Sequence, residues 1–466
     1  HAEREGPQVR GDVRCRPGPA AQVGRTQEDP RAARPAGLGG ALIAPLAAVV
    51  LEIWWQPALV LGAYAWALHI IALAALMTGF ALQLGKADAP AMRRAAHATL
   101  SALALIALAL FVLTTKTALT LALAVLLTAS AALDRRFRLP EMSLFLQAGA
   151  AVLGYRLLAD PGLSWALQAP LAQLLLAFGG TIAAMLAALW LLQPLERPVA
   201  RAVAESAAAG LTAILANVLI ARALEPPLPL TDTATYVPQT PPMETHWGLT
   251  LNALPWAIFA LMQLWRARQA SPLQTLRRAL AGLGGVIAAA GLASAATLGN
   301  PLFGWTADDL GARVKGPLVL DTLALAYAVP GLLLLVVAWT WADLDRRLRL
   351  GLVCAGAALT ALYTGLEIRR VWQGDFLGGP SVTQAELYTY TLALMLLGAG
   401  LLYQAIARRS DMLRRLAMAV IGLVVAKVFL LDASGLTGLT RVVSFAGLGL
   451  SLAGLAWLNR WAERRS

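Results

Sequence analysis

Apolar residues run through this chain in long blocks, cut at intervals by charges, prolines and glycines. The cuts leave fourteen stretches: 38–56, 59–83, 97–114, 117–133, 142–158, 169–192, 202–221, 247–265, 277–297, 317–341, 349–367, 386–406, 413–431 and 441–459. A helix that crosses the roughly 30 Å hydrocarbon core of a bilayer needs about 20 apolar residues. The blocks "LALIALALFVL" (Leu103 to Leu113) and "GLLLLVVAWTW" (Gly331 to Trp341) sit inside uncharged stretches of that length. The pattern predicts an all-α, polytopic transmembrane helix bundle of about fourteen spans.

Composition agrees. Hydrophobic residues make up 58% of the 466, and charged ones only 14%, against about 25% charged in a soluble domain. The mean hydropathy is +0.65. A net charge of +12 would suggest nucleic acid in a soluble protein; here it fits basic residues at helix ends, and no nucleic-acid partner is expected.

The distribution of Lys and Arg supplies a direction, because loops on the cytoplasmic side concentrate them. With the C-terminus inside, inner loops hold 22 of them, the first 36 residues hold seven, and outer segments hold nine. The alternation predicts that both termini are cytoplasmic. Residues 1–36, with five prolines and no apolar period, read as a disordered cytoplasmic tail, ahead of a multi-span domain at 37–466. The chain opens on His1 rather than methionine, which reads as a truncated or processed start. The longest outer loop, 223–246, contains six prolines and reads as an extended surface loop or a lid. The segment 298–316 reads as a short interfacial helix, with Trp305 at the headgroup level.

No motif of a soluble enzyme occurs: no phosphate-binding loop, dinucleotide fingerprint, nucleophile elbow or HExxH. Cys15, Cys354 and the histidines at 1, 69, 97 and 246 are scattered, so no metal and no cofactor is expected. The remaining candidates are polar groups at membrane depth, where they are costly. Glu52, His69, Glu205 and Asn217 lie inside spans. For His69 the simplest expectation is a bond to a neighbouring helix, and for Glu205 an ion pair with Arg201 one turn earlier. Asp321 is expected about one turn into its helix, with a partner from elsewhere.

A second group gathers at the outer ends of the last helices: Asp321, Glu367, Arg369, Arg370, Glu386, Tyr388, Lys427, Asp432 and Arg441. Lys427 needs a carboxylate or a water path, with Asp321, Glu386 and Asp432 as the candidates. The group reads either as a structural ion-pair network or as an outward-facing pocket for an anionic or sugar-bearing ligand. Gly398, Gly400, Gly447, Gly449 and Gly454 are expected at close helix contacts. Pro170, Pro255 and Pro330 are expected at kinks.

The stretch 414–458, through Lys427, Phe429, Asp432, Leu436, Arg441, Ser444, Phe445 and Gly447, resembles the end of a bacterial membrane-protein family catalogued as domain of unknown function 2339. "YAVPGLLLL" (Tyr327 to Leu335) and the helix start at Glu386 and Tyr388 resemble it too. The resemblance covers about 317–459 and implies a multi-pass inner-membrane protein; it carries no reaction or substrate. Three roles remain: a non-enzymatic part in envelope structure or assembly, a transporter or flippase of envelope precursors, and a membrane-embedded, glycosyltransferase-like enzyme. Few polar groups lie at mid-depth, which weighs against transport, and the balance is against an enzyme. The expected partners are the lipid bilayer and, under the last two roles, a lipid-linked or sugar-bearing envelope ligand.

Overall fold

The computed structural model describes residues 33–87, 93–114, 116–224, 240–269, 272–304, 309, 311–341, 344–379, 381–428, 446, 449–450, 453–454 and 457. Among them all regular structure is helical. The helices are α1 (Ala33–Trp54), α2 (Pro57–Val60), α3 (Ala63–Ala87), α4 (Arg93–Leu113), α5 (Lys116–Phe137), α6 (Met142–Leu158), α7 (Gly162–Gln168), α8 (Leu171–Leu191), α9 (Pro198–Ala223), α10 (His246–Arg268), α11 (Gln274–Ala296), α12 (Val329–Thr340), α13 (Arg346–Gln373), α14 (Gln384–Ala407) and α15 (Asp411–Lys427). A π-helical turn, Ala324–Ala328, leads into α12.

Local chemistry explains several of the starts. Thr245, Asp345, Thr383 and Ser410 each accept a hydrogen bond from a backbone N–H in the first turn of α10, α13, α14 and α15, the ordinary device for an otherwise unmet donor. Pro198 opens α9, where a missing N–H costs nothing.

Among the described residues, nine helices are long and apolar enough to cross a membrane: α3, α4, α5, α8, α9, α10, α11, α13 and α14. The pair α6 and α7 passes the same test together but bends by 60°. Two apolar helices are shorter, Leu42–Trp54 and Ala324–Thr340. The tenth predicted stretch, 317–341, is helical only from Thr322. Asp321 therefore precedes its helix instead of lying a turn inside it. Of the tail, residues 1–32 lie outside the described residues, as do 225–239 of the Pro-rich loop, Trp305 and most of 441–459.

The described chain divides into two compact units, before and after the Leu146–Gln147 bond. In the first, α3 and α1 both pack on α4, around the fully buried Ile70 and Leu105. In the second, α8 pairs with α9, α10 with α11, α12 with α13 and α14 with α15. Its apolar centre holds Leu323, Ala326 and Tyr327 against Ala295, Leu366 and Leu377.

Beside large buried side chains such as Phe178, Met185 and Tyr327, the interior holds many small residues. Ala67, Ala96, Ala166, Ala188, Ala204, Ala295, Ala326 and Ala417 are fully buried, while Leu68, Val125, Trp190, Val286 and Trp339 are exposed. Water would make such a surface an aggregation patch. In lipid it is the expected arrangement, because large apolar side chains gain nothing by turning inward and small ones let backbones approach. Glycines mark the tightest crossings. A Cβ on Gly356 would lie 2.8 Å from the Gly331 carbonyl oxygen where α13 meets α12, and one on Gly398 would lie 2.9 Å from Ile421. Among the described residues, Gly400, Gly449 and Gly454, expected at contacts, have nothing within 4 Å of such a Cβ, and Gly447 lies outside the described residues. Pro255 lies within α10, whereas Pro170 precedes α8 and begins it instead of kinking it.

Gly356→Val should force α12 from α13 and cost about 1–3 kcal/mol, read as a lower melting temperature in detergent micelles. Gly400→Ala, inside α14 with open space at its Cβ, should raise that temperature slightly, since alanine favours the helix by about 0.5–1 kcal/mol.

Candidate functional site

The group of charges expected at the ends of the last helices is organised by the end of α13. Successive helical residues point about 100° apart, so adjacent arginines cannot serve the same neighbour. Arg370 turns to the loop before Asp321, and Arg369 turns to α14.

Arg370 is buried, and all five of its N–H groups have acceptors. Nη1 meets the Asp321 carboxylate at 2.6 Å, and Nη2 meets Asp375 at 2.9 Å. The remaining contacts are Nε to Asp375 at 3.2 Å, Nη2 to the Gly316 carbonyl at 2.6 Å and Nη1 to that of Pro317 at 3.4 Å. Asp375 is available because Gly374, at φ +77°, ends the helix and turns the chain back; a side chain there would be strained. Asp321 also accepts from the Ala324 N–H at 2.8 Å. One buried carboxylate thus caps its own helix and neutralises an arginine from another.

Arg369 donates from Nη1 to Glu386 at 3.1 Å, from Nε to the Leu377 carbonyl at 2.7 Å, and from Nη2 to the Gly379 carbonyl. Glu386 is completely buried. It also accepts from Gln373 Nε2 at 2.8 Å, and the Tyr390 hydroxyl lies 3.2 Å from it. Thr383 and Glu386 have capping-box spacing. The Glu386 N–H does bond the Thr383 hydroxyl at 3.2 Å, but its carboxylate serves Arg369 instead.

Glu367 accepts from the Val319 N–H at 2.8 Å, and the Tyr363 hydroxyl donates to the Val319 carbonyl at 3.0 Å. Val319 has φ +74°, a costly conformation for a β-branched residue, and two side chains of α13 hold it there. Lys427 Nζ donates to the Thr391 hydroxyl at 2.6 Å and to the Leu387 carbonyl at 3.0 Å. Of its expected carboxylates, Asp321 and Glu386 are held by arginines. Asp432 and Arg441 lie outside the described residues. Tyr388 is exposed and stands apart from these contacts.

Below this group, His246 Nε2 lies 3.0 Å from the Thr322 hydroxyl, and its ring stacks on Tyr327 with centroids 6.2 Å apart. Pro330 lacks the N–H that would serve the Ala326 carbonyl in an α-helix. Thr250 of α10 donates to that carbonyl at 3.0 Å instead. A nearby loop is held by Asp309, which accepts from the Thr240 hydroxyl and N–H and from the amides of Gly311 and Ala312. Burial pushes the Asp309 carboxyl up, but these donors outweigh it and hold its pKa below the ordinary carboxylate value.

The intramembrane candidates fall elsewhere. His69 bonds the Ala65 carbonyl of its own helix at 2.7 Å and is exposed, so among the described residues the expected bond to a neighbouring helix is absent: its acceptor is one turn back on the same helix. Glu205 pairs with Arg266 at 3.0 Å and Arg277 at 2.8 Å, not with Arg201; the end of α10 and the start of α11 bring two guanidinium groups closer. Asn217 donates to the Asn252 carbonyl at 2.8 Å and its side-chain oxygen at 3.1 Å. Glu52 leaves Oε2 buried without a partner. Sequence reasoning missed Asp375, Gln373 and the Arg266–Glu205–Arg277 triad. The signals were present: a helix-ending glycine before an aspartate, and two arginine pairs flanking one short loop. Among the described residues no His, Cys, Asp and Glu cluster could hold a metal.

The depressed Asp309 carboxyl stabilises the fold fully above the unfolded-state value of about 3.9, and this is lost as pH falls through the lower folded value. The melting temperature of Asp309→Asn should therefore lie below that of the native chain near neutral pH, with the gap closing towards pH ~3.

No curated protein matches the chain, and no solved structure does. A model of predicted membrane proteins, domain of unknown function 2339, matches residues 20–461. That span is nearly the whole chain and agrees with the nine apolar helices, and the chain belongs to this membrane-protein family.

Proposed function

We propose that this protein is a non-catalytic component of the bacterial inner membrane, with a structural or assembly role in the cell envelope. The reading takes the domain at 37–466 as about fourteen spans with both termini cytoplasmic, preceded by a short tail at 1–36. The observation that carries it is the occupancy of the outer-face charges. Arg370 spends all five donors on this chain's own oxygens, and Arg369 and Glu386 bind one another and nearby protein groups. A ligand-binding arginine keeps donors directed at its ligand. Here the donors tie α13 to α14 and to the segment before Asp321, which is what a lock on helix ends requires.

Breaking a buried pair strands a charge and costs about 3–5 kcal/mol. Asp321→Ala and Glu386→Ala should therefore each lower folded yield and melting temperature sharply, measured on detergent-extracted protein. If both variants fold and melt like the native chain while envelope integrity in the host is lost, the cluster is a ligand or catalytic site and the reading fails.

A further inference from the structure

The second unit contains a cavity of about 540 Å³ between α8, α9 and α10, a size typical of ligand sites (roughly 300–1,000 Å³). On α9 it is lined by Glu205, Ala208, Ala209, Thr212, Ala213 and Ala216, a single helical face at i, i+3, i+4, i+7, i+8 and i+11. The small residues there make the space. On α10 it is lined by Pro255, Ile258, Phe259, Met262 and Arg266, running the opposite way, so that Arg266 stands beside Glu205. The lining from Glu205 to Ala216 is about 16 Å long at 1.5 Å per residue. Its rim residues Leu186 and Ile258 are 54% and 60% exposed, so the groove opens on the apolar outside of the unit.

The two ends differ. Beyond Ala216, the Asn217–Asn252 hydrogen bonds close the groove with a neutral polar contact. The Glu205 end is charged and positive. One carboxylate faces Arg266 and Arg277, and Arg201 precedes Glu205 by one turn on α9. Behind Glu205, outside the groove lining, the Arg277 side chain is only 3% exposed, and among the described residues its Nε and Nη1 have no partner and Arg201 Nε is likewise buried and unmet. A buried guanidinium with two unmet donors is expensive. Arg266 lines the groove and is partly exposed, so its guanidinium can reach the oxygens of a phosphate.

We propose that this groove binds one anionic phospholipid, with an acyl chain along the α9 and α10 faces and the phosphate at Arg266, in the positive field of Arg277 behind Glu205. The surplus positive charge selects an anionic headgroup over a zwitterionic one, and the apolar slot excludes a free anion as the natural occupant. The bilayer supplies such a lipid at the open rim. The binding adds a ligand to the protein and stands apart from the outer-face lock.

The full-length chain, delipidated in detergent and re-exposed to phosphatidylglycerol or phosphatidylcholine, tests this by native mass spectrometry. One phosphatidylglycerol per chain should be retained, in preference to phosphatidylcholine. Ala213→Phe, which fills the slot and keeps every charge, should abolish retention. Arg266→Gln, at a partly exposed position that lines the groove, should weaken it about tenfold, the loss of a charge-assisted hydrogen bond. Equal retention of both lipids overturns the proposal, as does retention untouched by Ala213→Phe. A lipid-free dimer with the groove buried overturns it too, and so does thermal protection by inorganic phosphate as large as that by phosphatidylglycerol.

Discussion

A guanidinium removed from water must have its donors met by the protein, and α13 ends in two of them side by side. That demand arranges much of the surrounding structure. It calls the segment from Gly316 to Asp321 inward to supply carbonyls and a carboxylate to Arg370. It draws 377–379 and the start of α14 towards Arg369. It uses Gly374 to fold Asp375 back on its own helix. The ion pairs are not a net source of stability in themselves, since desolvation offsets much of the attraction. Their effect is specificity: any other arrangement of these helix ends leaves a buried charge alone.

The same rule governs the apolar parts. Backbone groups inside a bilayer have no water to turn to, so each interruption of a helix must be repaired locally. Pro330 withdraws a donor from Ala326, and Thr250 restores one from α10. The Tyr327 hydroxyl donates to Ala295 at the end of α11. The π-helical turn is therefore fastened to two neighbouring helices, beside His246 and below the arginine lock. A local defect has become a joint.

How much of this was legible in the sequence follows from the type of signal. Apolar blocks record helices well, because the bilayer sets their length, and the positions of α3 to α6, α8 to α11, α13 and α14 follow them closely, while α7 falls between two blocks. Start points were less legible. Asp321 looked intrahelical because the apolar pattern continues through Leu318, Val319 and Leu320, and hydropathy cannot tell a helix from an apolar loop. Pairings across helices were least legible. Glu205 has an arginine one turn away in sequence, and only the three-dimensional path of α10 into α11 shows that Arg266 and Arg277 reach it first. Lys427 similarly meets a hydroxyl and a carbonyl of α14, acceptors that no charge count would have singled out.

The presence of apolar residues both inside and outside, with alanines at many of the interior positions, has a further meaning for how the chain can change. In a water-soluble protein, greasiness distinguishes core from surface, and substitutions are filtered by it. Here Ala204 in the interior and Val286 on the exterior are both apolar, so polarity filters neither from the other. Bulk does: the inner faces admit nothing larger than what they hold, while the outer faces admit almost any oily side chain. Volume is the alphabet in which this fold is written, and an exchange that looks conservative by hydrophobicity, alanine for leucine, is drastic on one face of a helix and silent on the other.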